Sequence, residues 1–301
     1  MRNASSTSKP YCTAIKGTGQ QKCCTQVMKK IPHRLTKLLR SALYCTALVV
    51  VFFVLPVGCQ VIGHYSSDGS RIPWWELRRD SSQQAPDASK TDDAIIQLYS
   101  ARAARWRGAF GVHTWYATKK TDENAYTRVE VIGYALRWTG KTVRVRRGPP
   151  DNYWFGSKPY LLREIRGGKN VDDMIERLHK AASEYEYNDQ YNVWPGPNSN
   201  TFIATLARKV PEMGIELPAT AIGKDYLPNG QVLASSPSGR GYQFSLRGLF
   251  GLLVGAEEGI EINLLGLTAG LDISPLAIKL PGVGRIGISD FDRRDVTLDD
   301  G

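Results

Sequence analysis

Residues 42–59 read ALYCTALVVVFFVLPVGC, eighteen positions without a charged side chain. How the rest of the chain is organised follows from that stretch. Eighteen mostly apolar residues reach the lower end of what crosses a bilayer as a helix. Everything before them is basic. Arg2, Lys9, Lys16, Lys22, Lys29, Lys30, Arg34, Lys37 and Arg40 come first, and no Asp or Glu occurs until Asp68. The positive-inside rule keeps such an N-terminus cytoplasmic and sends residues 60–301 across the membrane. The expectation is an inner-membrane protein whose C-terminal domain is periplasmic, or more generally extracytoplasmic.

The net charge of +10 invites a nucleic-acid reading, but its distribution argues against one. Removing the nine N-terminal cations from 39 Lys+Arg leaves 30, against 29 Asp+Glu, all of which lie in the body. A footprint for phosphate backbones belongs on the folded domain, and here that domain is nearly neutral. The expected partner is the membrane, with an envelope substrate or protein partner unidentified and no nucleic acid. All five cysteines, Cys12, Cys23, Cys24, Cys45 and Cys59, fall at or before the end of the apolar segment. The body therefore has no disulfide, thiolate nucleophile or Cys-ligated metal. From residue 94 onward it holds only His113 and His179, so neither a histidine-based metal site nor a cofactor is expected.

The N-terminus admits three readings. It is a retained single-pass anchor, a signal sequence starting at Met28, or a lipoprotein leader. In the last, Leu55-Pro56-Val57-Gly58 precedes a lipidated Cys59, with Pro56 where Leu is usual.

The chain divides into a basic N-terminus (1–40), the apolar segment (41–63), a polar linker (64–93), an α+β core (94–218) and a Gly/Pro-rich β appendage (219–301). Trp74-Trp75 beside Arg78 and Arg79 in the linker suit a headgroup layer as well as packing on the body. Residues 94–99 are a short apolar run, and residues 109–118, 126–136 and 142–146 are rich in β-branched and aromatic side chains, with short intervals that favour antiparallel pairing. Val171, Met174, Ile175, Leu178 and Tyr185 follow helical spacing after a candidate cap at Asn170, which leaves His179 beside the apolar stripe. A second helix is expected from Asn200 to Val210, ended by Pro211. Leu246–Val254, apolar apart from Arg247, is a candidate membrane-contacting surface.

Gly282-Val-Gly284-Arg-Ile-Gly287 matches a dinucleotide fingerprint, but only fourteen residues follow, too few for the helix and strand the site requires. Glu257, Glu258 and Glu261 read as a solvated turn.

One constellation carries candidate chemistry. Trp194-Pro195-Gly196-Pro197-Asn198-Ser199-Asn200-Thr201-Phe202 runs from a rigid turn into a helix start. Ser199 there would sit beside unsatisfied amides and the positive end of the helix dipole, a setting that favours an anionic nucleophile and can hold an oxyanion. Asn198, Ser199 and Asn200 are equally good caps. His113 lies in a strand, and Glu130 alternates with valines on the next one. Together they form a candidate general base and its orienting carboxylate for Ser199.

A histidine strand, a strand with an acidic partner and a later helix opening Asn-x-x-x-Phe resemble the circularly permuted papain-like proteins of the lecithin-retinol acyltransferase group, with Ser199 where those have Cys. That resemblance implies a permuted papain-like core. The chain also resembles a bacterial membrane-associated family catalogued as domain of unknown function 3750. This likeness runs over residues 94–288 through Arg105–Phe110, Val112–Trp115, Arg144–Pro150 with Tyr153–Gly156, Trp194–Phe202, Ala221–Pro228 and Lys279–Arg285. It implies no activity. Two readings stay open: a hydrolase or acyl transferase using Ser199, His113 and Glu130 on an acyl, amide or ester substrate, and a non-catalytic envelope binding or scaffold domain.

Overall fold

The computed structural model describes residues 33–67, 73, 75–287 and 295–298. The basic stretch before residue 33, and Trp74, lie outside the described residues. The described residues divide into two units between Tyr44 and Cys45. Helix α1 (His33–Val49) passes through a π-helical turn at Val50–Val54 into α2 (Leu55–Ser67). Within it, Thr36–Gly63 is long and apolar enough to cross a membrane. The apolar helix thus begins earlier and ends later than the charge-free stretch, because Lys37, Arg40 and Gln60 are compatible with helix.

Residues 94–218 form the expected antiparallel sheet with packed helices. The strands are β1 (Ala94–Arg102), β2 (Val112–Lys119), β3 (Thr127–Val131), β4 (Val143–Arg147) and β5 (Tyr160–Gly167). A short turn of helix, α3 (Leu136–Thr139), separates β3 from β4. The helices α4 (Lys169–Ser183) and α5 (Ser199–Lys209) follow. β5 carries no clear strand pattern in the sequence, because Arg163, Glu164 and Arg166 break its apolar alternation.

Strand order is β13-β5-β1-β2-β3-β4, with β13 (Asp295–Leu298) parallel to β5 and the other pairs antiparallel. β1 is central and buried on both faces. Ile96 and Leu98 join Tyr116, Val129, Ile175 and Phe202 in a core beneath α4 and α5. Ile95 and Tyr99 join Trp115, Ala117 and Tyr126 on the opposite face.

That opposite face is closed by the stretch read as a linker. Asp151 accepts from Ser81 Oγ (2.7 Å), Ser82 Oγ (3.1 Å) and the Gln84 amide (2.6 Å), and Ala85 and Ala88 pack on the Trp115 cluster. A buried carboxylate needs such donors, so residues 81–90 are bound to the body rather than spacing it from the membrane.

The C-terminal region is a second sheet, a continuous antiparallel meander in the order β12-β11-β10-β9-β8-β7-β6. Its strands are β6 (Leu233–Ser235), β7 (Gly241–Leu246), β8 (Phe250–Gly255), β9 (Gly259–Leu264), β10 (Leu267–Ile273), β11 (Leu276–Leu280) and β12 (Gly284–Gly287). It is built into the core rather than appended to it. Lys224 and Asp225, from the stretch preceding it, are buried against its inner face. The Gly282–Gly287 motif is a turn entering β12.

Candidate functional site

Geometry around Ser199, His113 and Glu130 follows from one-residue alternation along β2. Successive strand side chains point to opposite faces. Thr114 donates to Asn200 Oδ1 (2.8 Å), Tyr116 lies in the helix-side core and Thr118 meets His179 Nε2 at 2.9 Å. The face of Thr114, Tyr116 and Thr118 is therefore the one covered by α4 and α5. His113 and Trp115 take the other face. The His113 ring stacks on Trp154 with centroids 3.7 Å apart, and its Nε2 meets Glu130 Oε2 at 3.2 Å.

The histidine and glutamate are thus together, as a base and its orienter would be, but the sheet lies between them and Ser199. The nucleophile and the base of the expected triad are not brought together. A strand slip of one residue is the whole difference, because Val112 and Thr114 meet the N-terminus of α5 where His113 would be required.

All three residues are buried: His113 is 5 % exposed, Ser199 4 % and Glu130 0 %. Burial depresses the His113 pKa more than the bonded Glu130 raises it, so the imidazole is neutral at pH 7. Burial alone would raise the Glu130 pKa. The His113 hydrogen bond and the Arg128 charge outweigh it and hold the carboxyl at about 2. Arg128 Nη2 donates to Glu130 at 2.8 Å, and its guanidinium lies 4.7 Å over the Trp115 ring. The result is a closed charge-and-aromatic cluster under Trp154.

Ser199 opens α5 and Asn198 caps it. The Asn198 carboxamide accepts from the amides of Asn200 (2.9 Å) and Thr201 (3.1 Å), and Thr201 Oγ1 accepts from the Asn198 amide in return (3.1 Å), a capping box. The amides of Asn200 and Thr201 are thereby occupied by the cap. Asn198 Nδ2 also donates to the carbonyls of Val193 and Ile222, and Asn200 Nδ2 to those of Val112 and Ile222. The loop at Ile222 approaches so closely that a Cβ at Gly223, with φ +97°, would collide with the Asn198 carboxamide. This helix start is a structural joint between α5, β2 and the 218–226 loop.

A second cluster has no local signature in the sequence. Lys224 Nζ donates to Asp225 (3.0 Å) and Glu261 (2.5 Å). Lys279 Nζ reaches Glu261 (2.9 Å), Glu216 (2.5 Å) and Asp272 (3.0 Å). Asn263 and Thr268 also donate to Asp225. Glu258 and Glu261, expected on a solvated turn, are each 2 % exposed. Their environment corrects that reading: each supplies the counter-charge or acceptor that buried Lys279 or Ser238 needs. Ala221–Pro228 and Lys279–Arg285, which the sequence presents as separate motifs, meet at Glu261.

Beside this network opens a cleft of about 800 Å³ with Arg102, Lys158, Arg163, Glu216, Lys279 and Arg285 on its wall. Burial raises the Glu216 pKa to about 7 against the opposing pull of Lys279. None of Ser199, His113 and Glu130 lines the cleft. Among the described residues, no group of three or more His, Cys, Asp and Glu is placed to hold a metal ion.

Fold and site together define a mixed α+β module whose compact unit includes part of an apolar helix. Residues 93–226 match the family model described as "Protein of unknown function (DUF3750)". The matched residues hold strands β1–β5 of the first sheet, helices α3–α5 and the Lys224–Asp225 pair. No curated protein and no solved structure matches the chain.

Proposed function

We propose that this chain is a membrane-anchored envelope module that binds a partner or ligand rather than converting one. The helix Thr36–Gly63 is its anchor, and the basic N-terminus keeps its own side cytoplasmic, which leaves the body outside the inner membrane. The observation that carries the non-catalytic reading is the register of β2, with His113 on one face of the sheet and Ser199 on the other. Triad catalysis requires the base within hydrogen-bond reach of the nucleophile. The buried state of all three residues and the occupied amides of the α5 cap support the same reading. The cleft beside Glu216 is the binding place, and cations outnumber carboxylates on its wall, which suits a ligand bearing phosphate or carboxylate.

A fluorophosphonate probe tests the reading. Full-length wild type and Ser199→Ala label equally under this account. Labelling of wild type that Ser199→Ala abolishes would establish a nucleophile at Ser199 and overturn it.

A further inference from the structure

The second sheet is patterned inside out. Side chains facing the protein are largely polar: Gln243, Ser245, Glu261, Asn263, Asp272 and Lys279 are all 3 % exposed or less. The alternate positions, facing away, are apolar. Leu252, Val254, Ile260, Ile262, Leu271 and Ile278 are each 41–50 % exposed, and register places them side by side, with Leu252 opposite Ile262, Val254 opposite Ile260 and Leu271 opposite Ile278. Water-soluble sheets show the reverse alternation, and a contiguous apolar face over the four strands β8–β11 exceeds the scattered apolar exposure of ordinary surfaces.

We infer that this outward face is seated in the acyl chains of the bilayer. The inference rests on the reading of the apolar helix as a membrane anchor. What selects lipid as occupant is the contact between the two apolar surfaces. Cα atoms of Val50–Val54 come within 8 Å of β10, the strand carrying Leu271. Those residues lie near the middle of the Thr36–Gly63 span. Ala269, on the outward face of β10, is buried, whereas Ile262 and Leu271 beside it stay exposed. The helix therefore adjoins the sheet face without covering it, and Val51, Phe52, Val54 and Leu55 remain exposed on the helix. Two uncovered apolar surfaces at one depth are satisfied together by hydrocarbon. Further along, α2 packs by Arg105–Ala109, where exposed Trp106 and neighbouring arginines supply the aromatic and cationic groups of a headgroup layer. The edge strands β6 and β12 are only three and four residues long, which limits the unpaired backbone groups offered to lipid.

Site-directed spin labelling tests this on the full chain with its five cysteines replaced by Ser, reconstituted in phosphatidylcholine–phosphatidylglycerol vesicles. Nitroxides are attached at Ile262→Cys, at Val254→Cys and, as a water-facing control, at Lys180→Cys. Flotation is measured on the same samples. The expected result is flotation with the vesicles, and a ratio of oxygen to nickel-chelate collisions severalfold higher at 262 and 254 than at 180. Flotation with equal ratios at the three positions overturns the seating of the sheet and leaves the anchor intact. Low collision with both reagents, together with dipolar broadening between labels, identifies a second copy as the occupant and overturns it as well. Failure to float overturns the anchor and the inference together.

Discussion

The two sheets solve burial in opposite ways. The first has apolar side chains on both faces of β1, covered by helices on one side and by residues 81–90 and Trp154 on the other. The second turns its charges inward onto Lys224, Asp225 and Glu261 and its branched aliphatic residues outward. In the first, solvent exclusion supplies the stability. In the second, the inner face holds only as a complete set of ion pairs and hydrogen bonds, since one missing partner leaves another charge buried and unpaired. Alternation in a sequence therefore identifies a strand but not which of its faces is wet.

The largest effect is expected where that difference is sharpest. Glu261→Ala strips Lys224 and Lys279 of a shared partner, and chemical denaturation in detergent should register a loss of about 3–5 kcal/mol. A change under about 1 kcal/mol would mean that the network is hydrated rather than dry. Next come paired truncations across the two sheets. Ile96→Ala, under α4, should cost about 2–5 kcal/mol, whereas Ile262→Ala on the outward face should stay within about 0.5 kcal/mol in the same detergent. Equal costs would erase the contrast.

The joint at α5 should show an intermediate effect. Asn198→Ala removes the cap and two carbonyl contacts and should cost about 1–2 kcal/mol, and Gly223→Ala should disturb the same joint by driving a Cβ into Asn198. Thermal unfolding compares the two.

The last effect is a pH dependence. Because the folded-state pKa of His113 lies below its unfolded value of about 6.5, the folded state binds fewer protons. Its contribution is fully present above pH 6.5 and is lost as pH falls toward the folded pKa, at up to about 1.4 kcal/mol per pH unit. Glu130, held at about 2 against 4.5, adds a further loss between those values. Wild type should therefore lose stability between pH 6.5 and 5 more steeply than His113→Gln, and parallel curves would show that His113 is hydrated in the fold.

Much of the first region was legible in the sequence. The apolar, β-branched and aromatic runs of β1 to β4, the spacing of Val171, Met174, Ile175 and Leu178 and the cap residues around Ser199 all reflect local rules that the fold obeys. The pairing of His113 with Glu130 was legible too, because both stand on neighbouring strands. What the sequence did not carry was phase. Whether His113 or Thr114 faces α5 depends on which side of the sheet the helix packs, and that is decided by Val129, Val131 and Tyr116 acting together. The second cluster was hidden for a similar reason. Glu261 between Ile260 and Ile262 reads as a wet residue between dry ones, and only the burial of Lys224 from a distant loop reverses the assignment.

The central claim is that the outward face of the second sheet meets lipid. A photo-reactive diazirine side chain at Leu252, activated in native membranes, measures it most directly. This account predicts adducts carrying the mass of phospholipid at 252 and none from the same group at Leu98. Adducts at 252 with protein alone, or with water alone, would contradict it.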